Sequence, residues 1–196
     1  MISYRKELKY FQTPAHMSSS PHIFFITGAS GVGKTTLVSQ LEEKYHDRND
    51  WAFLHFDSIG VPSKEEMEEQ YGSGENWQKE MTKTWVQKML SEYPDKRTII
   101  FEGQVNLDFI REGFEQSGFS DYTTVLIDCN EEMMHHRLST ERMQPELVTP
   151  EMNNWRRLLR EQAQKYGESI IDTHELDKEQ AIEAFEVLLK REGVTL

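Results

Sequence analysis

Gly28-Ala29-Ser30-Gly31-Val32-Gly33-Lys34-Thr35-Thr36 is the stretch on which the reading of this chain turns. Gly28, Gly33, Lys34 and Thr35 stand at the specified positions of the pattern G-x-x-x-x-G-K-[ST]. A phosphate tail carries dense negative charge, and burying it requires fixed donors. Successive backbone N–H groups in a glycine-rich turn, followed by a helix N-terminus, supply them. Side chains at Gly31 and Gly33 would obstruct that approach. In such a loop Lys34 places a cation between the outer phosphates, and the Thr35 hydroxyl is a ligand for Mg²⁺. The whole run Gly28, Ala29, Ser30, Gly31, Val32, Gly33, Lys34, Thr35 and Thr36 is therefore expected to cradle a nucleotide.

The flanks agree with this reading. Ile23-Phe24-Phe25-Ile26-Thr27 is a short apolar run suited to a buried parallel strand, and Leu37, Val38 and Leu41 recur at helical spacing. Four more strand candidates follow, at 51–56, 97–101, 122–128 and 169–172, alternating with helical patterns. That alternation predicts an α/β fold, a five-stranded parallel sheet covered on both faces in three layers. Ligands of such sheets sit beyond the carboxyl ends of the strands. The phosphate loop, Asp57, Glu102 and Asp172-Thr173 are all expected at that edge.

The rest of the chain is read by its punctuation. Residues 1–21, with Ser18-Ser19-Ser20-Pro21, read as a leader, and 22–196 as the domain proper. Between the second and third strands lies an insertion, residues 58–96. Ser63 and Glu66 are spaced as a capping box there, and a second helix runs from about Glu75 to Ser91. Its Trp77, Met81, Trp85 and Met89 recur every four residues, a stripe facing the core or else an aromatic wall for a substrate. Asn130 is placed to cap a helix over 131–142, Thr149-Pro150 starts another, and Asp177 with Gln180 starts the last. Asn106 either caps a helix or, with Gln104, binds a ligand. His135, His136 and Cys129 lack a fourth ligand at the usual spacing, so a zinc site is not expected.

Lys+Arg 22 against Asp+Glu 34 gives a net charge of −12, which repels polyphosphate backbones and argues against nucleic acid and anionic membrane as partners. No apolar run approaches the ~20 residues of a membrane span. The single cysteine, Cys129, cannot pair within the chain, which fits a cytoplasmic protein. The oligomeric state is not legible.

With these elements in order, residues 22–191 resemble the small phosphate-loop kinases of the nucleoside-monophosphate-kinase-like superfamily, among them shikimate and gluconate kinases and chloramphenicol phosphotransferase. The resemblance implies ATP with Mg²⁺, a small-molecule acceptor under the insertion, and an arginine-bearing lid over 137–160. It implies a base at Asp57, lid arginines at Arg137 and Arg142, and Thr173-His174-Glu175 as the loop passing the adenine. Glu102 takes the place of a metal-side acid, although the strand ends Phe-Glu-Gly where relatives have Asp. Arg137 and Arg142, five residues apart, share no α-helical face unless the helix ends between them.

The insertion bears on the acceptor. From Ser58 to Lys96 there is no arginine, and acids outnumber lysines. A nucleoside monophosphate needs arginine forks for its phosphate, so a neutral or cationic hydroxyl compound is expected. Three other readings compete: a nucleoside monophosphate kinase, a nucleotide-binding regulator or ATPase that transfers nothing, and a GTPase switch suggested by Asp57-Ser58-Ile59-Gly60. The last lacks any [NT]-K-x-D guanine signature.

Overall fold

The computed structural model describes residues 20–196; all but the last two residues of the 1–21 leader lie outside it. Five strands, β1 (His22–Thr27), β2 (Trp51–His55), β3 (Thr98–Glu102), β4 (Tyr122–Asp128) and β5 (Ser169–Asp172), form one parallel sheet in the order β2-β3-β1-β4-β5. The order reverses beside β1, so a crevice opens at its carboxyl end, where the glycine-rich loop leaves the sheet.

β1 shows why a continuous apolar run makes a central strand. Successive side chains point to opposite faces. Phe24 and Ile26 join the core formed with α1 (Lys34–Lys44) and α7 (Lys178–Arg191), through Leu37, Val38, Leu41 and Phe185. Ile23 and Phe25 join the opposite core, with α3 (Gly74–Glu92) and α4 (Leu107–Ser117), through Trp85, Met89, Ile110 and Phe114. Both faces are covered, as the sequence predicts.

The insertion holds α2 (Lys64–Tyr71) as well as α3. The Ser63–Glu66 capping box forms in full, yet α2 buries none of its residues. In α3 the aromatic stripe faces inward. Trp77, Trp85 and Met89 belong to the core, Met81 packs at its margin, and the Trp85 indole donates to the Phe56 carbonyl at 3.0 Å. Core packing is thus the role the structure gives it. Asn106 caps α4, its Oδ1 accepting from the Asp108 amide at 2.8 Å.

The helix expected over 131–142 departs from α-geometry. It is α-helical only as α5 (Glu131–His136); Arg137–Glu141 is a π turn, closed by the Arg142 amide donating to the Arg137 carbonyl at 2.9 Å. Side chains explain the slip. Ser139 Oγ and Thr140 Oγ1 donate to the carbonyls of His135 and His136, at 2.7 and 2.5 Å, and compete with the ordinary amide ladder. α6 (Pro150–Tyr166) follows, with Leu159 and Ala163 buried on Leu107 and Leu126. No helix among the described residues is long and apolar enough to cross a membrane.

Candidate active site

A pocket of about 510 Å³ opens where the loop meets α1, the π turn and the chain between β5 and α7. Gly31, Gly33, Lys34, Thr35 and Thr36 line one end. Arg137, Arg142 and Thr173 flank it, and Gln40, Leu176 and Ala181 line it further out. Its size falls in the range of small-ligand sites. Gly28, Ala29, Ser30 and Val32 of the expected cradle do not line it. Ala29 and Val32 are buried in the core, and Ser30 Oγ donates to Gln104 Oε1 at 2.8 Å.

The loop's glycines answer to backbone conformation. Gly31 and Gly33 have φ of 83° and 102°, values that L side chains rarely adopt. A Cβ at Gly31 would also meet Leu138 Cγ at 2.8 Å. Its space is therefore taken by the π turn.

Lys34 is buried and donates from Nζ to the Ala29 carbonyl at 2.9 Å. Burial holds its pKa down to about 8; the Glu102 and Asp57 carboxylates oppose that shift and the Arg142 guanidinium adds to it. An ammonium taken from water without a full counter-charge is primed for an anionic ligand. It sits between the groups the sequence singled out.

The two arginines differ. Arg137 is bound at three atoms: its Nη1 donates to Val32 O at 3.2 Å and Thr173 Oγ1 at 2.9 Å, and its Nη2 to Thr173 O at 3.0 Å. Thr173 Oγ1 in turn donates to Val32 O at 2.8 Å. Arg137 thereby ties the phosphate loop to the loop after β5. Arg142 is exposed, and its guanidinium makes no hydrogen bond among the described residues. The π turn brings both to one pocket, because closing a ring between residues five apart sets the sixth above the first.

On the other side of the loop, Glu102 ends β3 almost buried. Its Oε1 accepts from Thr35 Oγ1 at 3.3 Å and from His55 Nδ1 at 2.9 Å. A hydroxyl and a carboxylate side by side are the hard oxygen donors that Mg²⁺ takes, so the residues present fit that ion. Asp57 lies one residue into a 3₁₀ turn, Phe56–Ile59, after β2. It is exposed, does not line the pocket, and is near enough to Lys34 to act on its charge.

Sequence reasoning overlooked a second cluster. Asp128, which ends β4, is 1% exposed and bound by Arg156 Nη1 at 3.2 Å and Arg160 Nη1 at 2.5 Å. Its carbonyl accepts from the Thr173 amide at 2.7 Å. The cluster fixes α6 against the loop that Arg137 holds. Two arginines four apart, one turn of a single helix face, were the signal available. His135 bonds Asn153 at 2.9 Å, and burial pushes the Cys129 thiol up to about 11, so it is no nucleophile at neutral pH.

Solved structures with this architecture include the shikimate kinase of Acinetobacter baumannii in complex with shikimate. It superposes with a TM-score of 0.59 at 16% identity, over 87% of this chain and 94% of that one. The shikimate kinase of Bacteroides thetaiotaomicron gives 0.58 at 19%, over 86% and 98%. At such identities the likeness concerns the fold alone. No curated protein matches the chain in sequence. The family described as AAA domain matches residues 24–148, from β1 through the phosphate loop, the insertion and the π turn to just before α6, and this chain belongs to it.

Proposed function

We propose that this protein is an ATP-dependent kinase that transfers the γ-phosphoryl group to a hydroxyl of a small, unphosphorylated acceptor. The observation that carries the reading is the pocket itself. A buried lysine, its pKa lowered by burial, and two arginines surround the open end of a glycine-rich loop, with carboxylates at and just beyond the neighbouring strand ends.

In this reading Gly31, Gly33, Lys34, Thr35 and Thr36 hold the phosphates, and Leu176 and Ala181 border the nucleoside. Arg142 meets the outer phosphates, while Arg137 keeps the loop in register. Thr35 and Glu102 would hold Mg²⁺, whose charge offsets that of the β- and γ-phosphate oxygens. Asp57 accepts the proton of the acceptor hydroxyl; the oxygen bonds to the γ-phosphorus as the bond to the bridging oxygen breaks, and ADP leaves.

The acceptor's character follows from what surrounds it. Each of the insertion's five lysines, Lys64, Lys79, Lys83, Lys88 and Lys96, lies within 3.9 Å of a carboxylate. With no arginine there and each lysine facing an acid, a neutral or cationic acceptor is favoured over a nucleoside monophosphate. Incubation with ATP, Mg²⁺ and a panel of sugars, polyols, nucleosides and hydroxylated amines tests this. ADP release that depends on one such compound is the expected result. Tight saturation and turnover with a nucleoside monophosphate would overturn the acceptor class. Nucleotide binding with no acceptor-dependent turnover would favour the regulator reading, which the exposure of Asp57 supports.

A further inference from the structure

Glu102 has a partner that neither the loop motif nor the family assignment accounts for. His55 and Glu102 are register partners at the carboxyl ends of the adjacent parallel strands β2 and β3. His55 Nδ1 lies 2.9 Å from Glu102 Oε1, the same oxygen that Thr35 Oγ1 reaches at 3.3 Å. A carboxylate oxygen can only accept, so the imidazole carries its proton on Nδ1 and donates there. The two donors come from different elements, one from the helix after the phosphate loop and one from the outer strand β2.

We infer that His55 is a positioning residue for the metal side of the site: its Nδ1–H aims the Glu102 carboxylate so that the acid and the Thr35 hydroxyl serve one divalent cation. The inference rests on the nucleotide reading above and deepens it. A carboxylate on the last residue of a strand can rotate about its side chain, and Thr35 alone leaves that rotation weakly restrained. Hydrogen bonds from outside a metal site commonly set the ligand's orientation, and their loss weakens metal affinity about 10- to 100-fold. The pairing also explains why the strand can end in Glu: the longer side chain reaches Thr35 and needs a second anchor to stay there. His55 is partly exposed, its side chain at 37%, so replacing it leaves the core intact.

The test compares His55→Phe, which keeps a ring without a donor, with His55→Asn, whose amide nitrogen stands near the lost Nδ1. The readout is Mn²⁺ binding followed by its electron-paramagnetic resonance in the presence of ADP, beside ADP affinity in EDTA and the melting temperature. The expected result is an Mn²⁺ affinity about tenfold weaker in His55→Phe, with EDTA-state ADP affinity and melting temperature unchanged. His55→Asn should recover to within about threefold of the parent. An Mn²⁺ affinity equal to the parent in His55→Phe, or a loss in His55→Asn as large as in His55→Phe, overturns the assignment. A parent protein that binds no ADP under any condition would instead sink the nucleotide reading, and this inference with it.

Discussion

The two sides of the phosphate loop are built differently. On the side proposed for the nucleotide, the loops are tied to one another. Arg137 bridges Val32 and Thr173, Thr173 is held by the Asp128 carbonyl, and Asp128 is clamped by Arg156 and Arg160. On the side proposed for the acceptor, Asp57 is exposed, and α2 stands on a capping box with no residue fully buried, touching the core only through half-buried Met67 and Tyr71. A triphosphate presents the same charges whatever is phosphorylated, so its cradle is best preorganised. An acceptor site that closes over its substrate gains from elements held by little but local bonds.

The largest effect is expected at Lys34. Lys34→Met should abolish turnover and nucleotide binding while making the unliganded protein more stable. The sign follows from its lowered pKa. Below about 8 the amine is charged in both folded and unfolded chains, and the folded state bears the cost of burying it. As pH rises from about 8 towards 10.5 the unfolded chain holds more protons, so stability rises; the shift corresponds to roughly 3 kcal/mol. Denaturant titrations should show that rise in the parent and not in the variant. Nucleotide affinity should move oppositely, falling as pH passes upward through 8. Affinity flat from pH 7 to 10 would mean that Lys34 does not meet phosphate.

Next comes Asp57→Asn. It should leave nucleotide affinity nearly intact and lower phosphoryl transfer by ~10²–10⁴-fold, the range for loss of a general base. Rapid-quench measurement of ADP formation with a saturating acceptor checks it. Full turnover in the variant would make Asp57 a turn residue, and the contrast between the two sides would reduce to one of packing.

The arginines sharpen the contrast within one pocket. Arg137→Ala strips a donor from Thr173 O, which costs about 1–3 kcal/mol if left buried and unpaired, and leaves Val32 O with the Thr173 hydroxyl alone. Its melting temperature and nucleotide affinity should fall together. Arg142→Ala breaks no hydrogen bond among the described residues, so rate and nucleotide affinity should fall with stability unchanged. Thermal melts run beside initial rates separate the two. Equal destabilisation by both changes would refute the division of labour.

How much of this was legible in the sequence depends on what had to be read. The loop and the strand before it were, because main-chain geometry restricts residues 28–35 to a narrow pattern. The apolar runs of β1 and β3 admitted only a doubly covered sheet. The π turn was not: it arises from two hydroxyls, at Ser139 and Thr140, winning local carbonyls, and nothing in helical periodicity separates that from an ordinary helix. Nor was the Asp128 cluster, since Arg156 and Arg160 are far from it in sequence and meet it only once α6 lies on the sheet. His55 was passed over as a strand residue because its partner is fixed by strand register.

The smallest effect probes the acceptor side itself. Ser63 caps α2 by accepting from the Glu66 amide at 3.2 Å while Glu66 bonds back to the Ser63 amide at 2.8 Å. An eight-residue helix is marginal by itself in water, and loss of an N-cap costs about 1 kcal/mol. For a helix packed into the core that cost would appear in global stability. α2 has no fully buried residue and touches the core only through half-buried Met67 and Tyr71, so Ser63→Ala should instead melt it locally. Amide exchange over 64–71 should quicken severalfold, the melting temperature should stay put, and the acceptor KM should rise while nucleotide affinity holds. A fall in melting temperature matching the lost cap would mean that α2 unfolds only with the sheet, and that the acceptor side is as rigid as the nucleotide side.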